Sequence, residues 1–134
     1  MQLDIHPFHL KGCECRLKFD PVELQELLED EIHKKLGKKA KLLDQHHGTL
    51  TIQGRFTEID EGNFALHLML AFLGKAWVAG DYRVKLDDTV LVEDSFHMKR
   101  TFAAFTNGRG QLKGDTKFVA AEIVKKTVKA VKAL

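Results

Sequence analysis

The sequence predicts an α+β domain: a mainly antiparallel sheet of four to five strands packed against two helices, in the order β-α-β-β-β-α. Three observations carry this. Leu50 to Thr57 alternates apolar and polar residues, and the alternation returns from Val78 to Leu86 and through Val90, Val92, Phe96 and Met98, which is the period of half-buried strands. Two other stretches, one after Asp20 and one after Asp115, carry apolar residues at three- and four-residue spacing, as amphipathic helices do. The chain has 134 residues, enough for one domain, 1–134, with a real core. Helices on one face of a sheet then bury both kinds of stripe.

In chain order, Leu3, Ile5, Phe8 and Leu10 suggest a strand disturbed at Pro7, a residue tolerated at an edge or a bulge. Lys11-Gly12 is a turn candidate. Cys13, Cys15, Leu17 and Phe19 then alternate with polar residues, so the N-terminus reads as a hairpin or as one long bent strand. The first helix has Asp20 as a cap, Pro21 at its first position and Glu23 at its third. Leu24, Leu27, Leu28, Ile32 and Leu36 form its apolar stripe, and Gly37 is a natural C-terminal cap. Acidic residues crowd its start and Lys34 and Lys35 its end, complementing the helix dipole. The basic run Lys38, Lys39, Lys41 reads as a solvated connector. A central strand follows within residues 42 to 59. Ile59 breaks the phase set by Leu50, Ile52 and Phe56, so one extra residue, a bulge, is expected near Thr57 or Glu58. Phe64 to Leu73 is apolar on every side and fits either a helix capped by Asn63 or a fully buried strand. Asp87-Asp88 turns the next two strands into a hairpin. Asp94, if it falls on the apolar face of the second, needs an edge position or a bulge. Asn107 to Gly114 reads as a glycine-rich loop, and Asp115 as the cap of the last helix, whose stripe is Val119, Ala120, Ile123, Thr127, Ala130 and Val131.

Net charge is +2, too small to imply nucleic acid by itself. Its distribution is uneven: residues 1–98 hold 12 Lys+Arg against 17 Asp+Glu, whereas residues 99–134 hold 9 against 2. A basic tail of this kind suits a solvated surface, an acidic partner, a phosphate backbone or an anionic membrane. No apolar run approaches the roughly 20 residues of a membrane helix. Met1 leads straight into a charged, alternating segment and not a signal peptide. The chain as written is therefore expected in the cytoplasm, or in the periplasm or envelope if a leader has been removed. Two cysteines make no disulfide framework.

The chemistry-bearing residues are few. Cys13 and Cys15, two apart, face the same way on a strand and could hold zinc or copper with His6 or His9 nearby, but the second pair of a structural zinc site is missing. Small buried thiols are the simpler reading. Arg109 and Lys113, in the glycine-rich stretch, could bind an anion together with the start of the last helix, though the Gly-Lys-Ser/Thr ending of a nucleotide loop is absent. Glu58, Asp60 and Glu61 could attract a cation, without calcium-loop spacing. His46-His47, His67 and His97 suggest no catalytic set. Ser95 is the chain's single serine, and no serine, histidine and acid combination points to a nucleophile. Phe64, Phe72, Leu73 and Trp77 could form an exposed sticky surface for a protein partner or a second copy. The expectation is a domain without catalysis and without a cofactor, acting through protein interaction. Metal binding by Cys13 and Cys15, or anion or nucleic-acid binding by the basic last helix, stands as the alternative.

The run Gly54-Arg55-Phe56-Thr57-Glu58-Ile59-Asp60-Glu61-Gly62-Asn63, followed by Gly74-Lys75-Ala76 and an alternating strand, resembles the bacterial domain-of-unknown-function family 4410. Ile5-His6-Pro7-Phe8 is similar to that family's strand and Pro-Phe opening. The family is itself distantly like the amino-terminal domain of the Tol translocation protein and the curli secretion lipoprotein. This chain departs from the pattern at Leu66-His67, where an arginine is usual, and at Leu70-Ala71-Phe72-Leu73-Gly74, which replaces a glycine-rich stretch. The resemblance implies an extended segment over Phe64 to Leu73, a non-enzymatic role and a link to the cell envelope. It carries no catalytic residues.

Overall fold

A computed structural model describes residues 1–62, 76–99 and 108–134. Among these, five strands form one sheet: β1 (Gln2–Ile5), β2 (Glu14–Arg16), β3 (Thr49–Asp60), β4 (Trp77–Leu86) and β5 (Thr89–Lys99). Three helices accompany them: α1 (Val22–Gly37), a single turn α2 (Ala40–Leu43), and α3 (Gly108–Lys132). The expected α+β class and mostly antiparallel sheet are what the chain adopts.

β3 is the strand on which the sheet is built. One of its edges pairs antiparallel with β4, which pairs antiparallel with β5. Its other edge takes β1 at Thr49–Ile52 and β2 at Glu58–Asp60, both parallel. The N-terminus is thus the bent strand and not the hairpin. Between β1 and β2 it stays on the same edge through a bridge from His9 to Arg55, with the His9 amide donating to Gly54 and the Phe56 amide to His9. A parallel edge needs a crossover, and α1 supplies it.

The bulge inferred from Ile59 is present: the β3–β4 register shifts between Phe56 and Glu58, leaving Thr57 unpaired and returning Ile59 to the apolar face. A second shift, between Val84 and Lys85, leaves Leu91 as the extra residue of β5. Asp94 lies on the helix-facing side of an edge strand, as its charge requires, and takes an ion pair from Lys126 of α3. Asp87, in the β4–β5 turn, has φ +52 and accepts a hydrogen bond from the Thr49 amide.

On the apolar face, cross-strand rows read Ile52–Val84–Val92, Gly54–Tyr82–Asp94, Phe56–Gly80–Phe96 and Ile59–Val78–Met98. Phe8 comes off the edge segment onto these rows. Its ring lies 6.0 Å from that of Phe56 and 6.3 Å from that of Phe96, and those two are 6.1 Å apart. Gly54 and Gly80 make room for this trio. A Cβ on Gly54 would stand 2.6 Å from a Phe8 ring carbon, and one on Gly80 2.6 Å from the Phe96 ring and 2.1 Å from the Arg55 carbonyl oxygen. Leu24, Leu28, Ile32 and Leu36 of α1, and Leu112, Val119, Ile123 and Val131 of α3, close the core above.

Three local expectations are corrected. Gly37 does not reverse the chain at a left-handed cap. Lys38 stays in the right-handed region (φ −70) and the chain makes the extra turn α2, which buries Leu43; β3 starts only at Thr49. The described residues of the glycine-rich loop, 108–114, are helical, so Asp115 is no cap but lies buried inside α3, accepting from Gln111 at 3.1 Å. Packing overrides glycine's poor helix propensity there: a Cβ on Gly108 would stand 2.3 Å from the Glu61 carbonyl oxygen, so only glycine lets α3 start so close to the end of β3. The helix-or-strand choice over Phe64 to Leu73 lies outside the described residues.

Gly80→Ala is expected to destabilise the domain by about 1–3 kcal/mol through overpacking, read as a lowered midpoint in urea unfolding. Wild-type stability would contradict the assigned glycine role.

Candidate functional site

The end of the sheet where β2, β3, β4 and α3 meet gathers most of the chemistry-bearing residues. Pairing of β2 with Glu58–Asp60 sets Arg16 beside two carboxylates that share its face. It donates from Nη2 to Glu58 (2.6 Å) and from Nε to Asp60 (2.8 Å). Its guanidinium carbon lies 5.8 Å from the Trp77 ring centroid, in cation–π range. The cation that the acidic cluster attracts is therefore the chain's own arginine. Glu61 is used as well: its carboxylate accepts from the Lys18 amide at 2.9 Å. Trp77 is half-buried there. Phe64, Phe72 and Leu73, expected beside it, lie outside the described residues.

Arg109 and Lys113 come to the same end on the first two turns of α3. Both donate to one oxygen of Glu23, at 2.6 and 2.9 Å, and Arg109 also lies 5.3 Å from the Phe19 ring. Two cations at a helix N-terminus oppose the macrodipole, and α3 has no acid in its first turn. Glu23, expected as a capping residue, supplies the missing negative charge from α1. Asp20 does the capping, accepting from the Val22 amide at 3.0 Å. Hydrogen bonds from Arg109, then Lys113, hold the Glu23 carboxyl below the ordinary glutamate range. The pair expected to meet an outside anion is thus already bonded to an internal one.

Cys13 and Cys15 are both half-buried and hydrogen-bonded to one another. Burial, then that bond, pushes the Cys13 thiol up to about 12, so it is protonated near neutrality. Among the described residues no group of three or more His, Cys, Asp or Glu side chains is placed to hold a metal ion. His6 is turned to Asp4 at 3.0 Å.

The sheet face away from the helices carries a shallow depression of about 770 Å³ lined by residues that include His9, Gln53, Arg55, Asp81, Arg83 and Glu93. Its charges cancel in cross-strand pairs, Arg55 to Asp81 at 3.0 Å and Arg83 to Glu93 at 2.6 Å. Nothing local in the sequence marks Arg16 or Glu23 as site residues. Their partners stand 44 and 86 positions away, and only the strand register and the helix packing bring them together.

No family model matches this chain, and no curated protein matches it. Among solved structures, the crystal structure of protein XCC0632 from Xanthomonas campestris, a DUF330 protein, is similar with a TM-score of 0.65. The likeness covers 98% of this chain and 86% of that one, at 14% sequence identity. It is a likeness of fold. No helix among the described residues is long and apolar enough to cross a membrane.

A titration checks the Glu23 assignment. Because its folded pKa is lowered, its contribution is fully present above the ordinary value of 4.5 and is lost as pH falls through the folded value. Glu23→Gln is therefore expected to lower Tm at pH 7 by no more than about 3 °C, as for exposed pairs. The gap to wild type should close as the pH is taken below that range. A gap that is constant with pH would contradict the assignment.

Proposed function

We propose that this domain is a non-catalytic interaction module of a bacterial cell, binding a protein partner or a second copy of itself at the sheet end marked by Trp77. The observation that carries this reading is the placement of that residue. Asp60 pairs with Trp77 and Trp77 with Lys99. The connection spanning 63–75, whose sequence Phe64 to Leu73 is almost wholly apolar, therefore joins the described fold beside Trp77, and so does the connection spanning 100–107. Tryptophan and arginine are enriched among the residues that dominate binding energy at protein interfaces. The polar groups around it are engaged in ion pairs, which supports recognition by shape and apolar contact over acid–base chemistry. The resemblance to family 4410 supports an envelope-linked assembly role.

The β5 edge adds to this reading by being guarded. An inward-pointing charge at Asp94 and the bulge at Leu91 are devices that discourage strand addition along β5. Partner binding is therefore assigned to the Trp77 end and not to that edge.

Trp77 is the chain's single tryptophan, and a photo-crosslinking residue at this position reads out the proposal. With the crosslinker in place of Trp77, irradiation of expressing cells should give one discrete protein adduct, absent when the crosslinker replaces Lys85. Equal labelling from both positions, or none from position 77, would overturn the assignment.

A further inference from the structure

The opposite end of the helical layer has a different character. α1 and α3 run side by side in the same direction. Their first turns meet at Glu23, Arg109 and Lys113, and α2, which follows α1, packs against α3. At about 1.5 Å per residue, the step from Glu23 to Lys38 equals the step from Lys113 to Val128. The basic ends of both helices therefore lie level. Lys34, Lys38, Lys39 and Lys41 come from the α1–α2 side, and Lys125, Lys129 and Lys132 from α3; all seven are exposed.

Arg16, Lys35, Arg55, Arg83, Arg109, Lys113 and Lys126 each hold a carboxylate, whereas none of the seven makes an ion pair among the described residues; Lys11, Lys18, Lys85 and Lys117 are likewise unpaired but lie singly, away from these helix ends. Among the neighbouring acids, Glu31 pairs with Lys35 and Asp44 with the amino terminus, while Asp30, one turn before Lys34, and Glu122, one turn earlier on α3, border the group without an ion pair among the described residues. Part of this arrangement is explained by the helix dipole, which favours cations at C-termini. Seven unpaired charges on two parallel helix ends exceed that need and repel one another.

We infer that this lysine patch docks the domain onto an anionic lipid surface. The patch holds lysines and no arginine, so it presents point charges and no bidentate forks for reading phosphates one by one. It contains no aromatic residue on which a base could stack. A cluster of four to eight lysines beside an exposed apolar residue suits a bilayer carrying acidic headgroups. Leu134, at the end of α3, is 59% exposed. The patch lies at the start of β3, and the Trp77 end at its finish, so lipid docking leaves the proposed protein interface free.

The test is co-sedimentation of the full chain with phosphatidylcholine vesicles, with and without one-third phosphatidylglycerol. Binding is expected only to the anionic vesicles and should be lost at about 0.5 M salt, where the Debye length is roughly 4 Å. K125Q/K129Q/K132Q should weaken partitioning on the order of a hundredfold, from about 1 kcal/mol per lysine. K38Q/K39Q/K41Q, on the other element, should weaken it similarly, so the patch is testable even if one variant folds poorly. K11Q/K18Q, at the finish of β3, should leave it unchanged. No binding to anionic vesicles, binding indifferent to salt or to both patch variants, or binding to duplex DNA without binding to vesicles, would overturn the inference.

Discussion

Three aromatic rings seated on two glycines set the geometry on which the rest of the molecule depends. Phe8 belongs to the edge segment, Phe56 to β3 and Phe96 to β5, and their contact is possible because Gly54 and Gly80 leave the strands between them bare. The trio ties the first ten residues to the far edge of the sheet across β4. It also fixes the path of the N-terminal segment, since Phe8 is held inside while His9 exchanges hydrogen bonds with β3 on either side of Arg55. The Gln25 side chain donates to the Phe8 carbonyl at 2.7 Å and so registers α1 against the same point. With that edge in place, β2 reaches Glu58–Asp60 and Arg16 reaches its two carboxylates.

Much of this layout is legible in the sequence, because strand alternation is a local signal. The break in phase at Ile59 reports the bulge at Thr57, and Asp94 among apolar neighbours calls for an edge position or a bulge, of which the fold supplies the edge. The two main helices are visible in their stripes. Other features depend on tertiary contact and leave no local trace. Glycine at 108 and 110 favours a loop by propensity, yet the close approach to Glu61 makes that stretch the start of α3. Leu42 and Leu43 fit a strand as well as a helical turn, and burial of Leu43 decides for the turn.

The candidate sites separate along the same line. Cys13 and Cys15 face one way, as their spacing implies, and the structure adds that burial keeps Cys13 protonated. Arg109 and Lys113 are basic and clustered in the sequence, but Glu23, far away in the chain, takes both of them. Seven of the unpaired lysines stand at the other end of the helices and come from two segments that sequence alone gives no reason to join. The fold therefore consumes one basic cluster in holding α1 to α3 and assembles another at the far ends of the same helices.

The claim that the three rings act as one unit is tested most directly by a double-mutant cycle on Phe8 and Phe96, which belong to opposite edges of the sheet. Unfolding free energies of F8L, F96L and the double variant should show a coupling of about 0.5–1.5 kcal/mol. Additivity within about 0.3 kcal/mol would show that the rings are buried side by side without depending on one another, and would contradict the account.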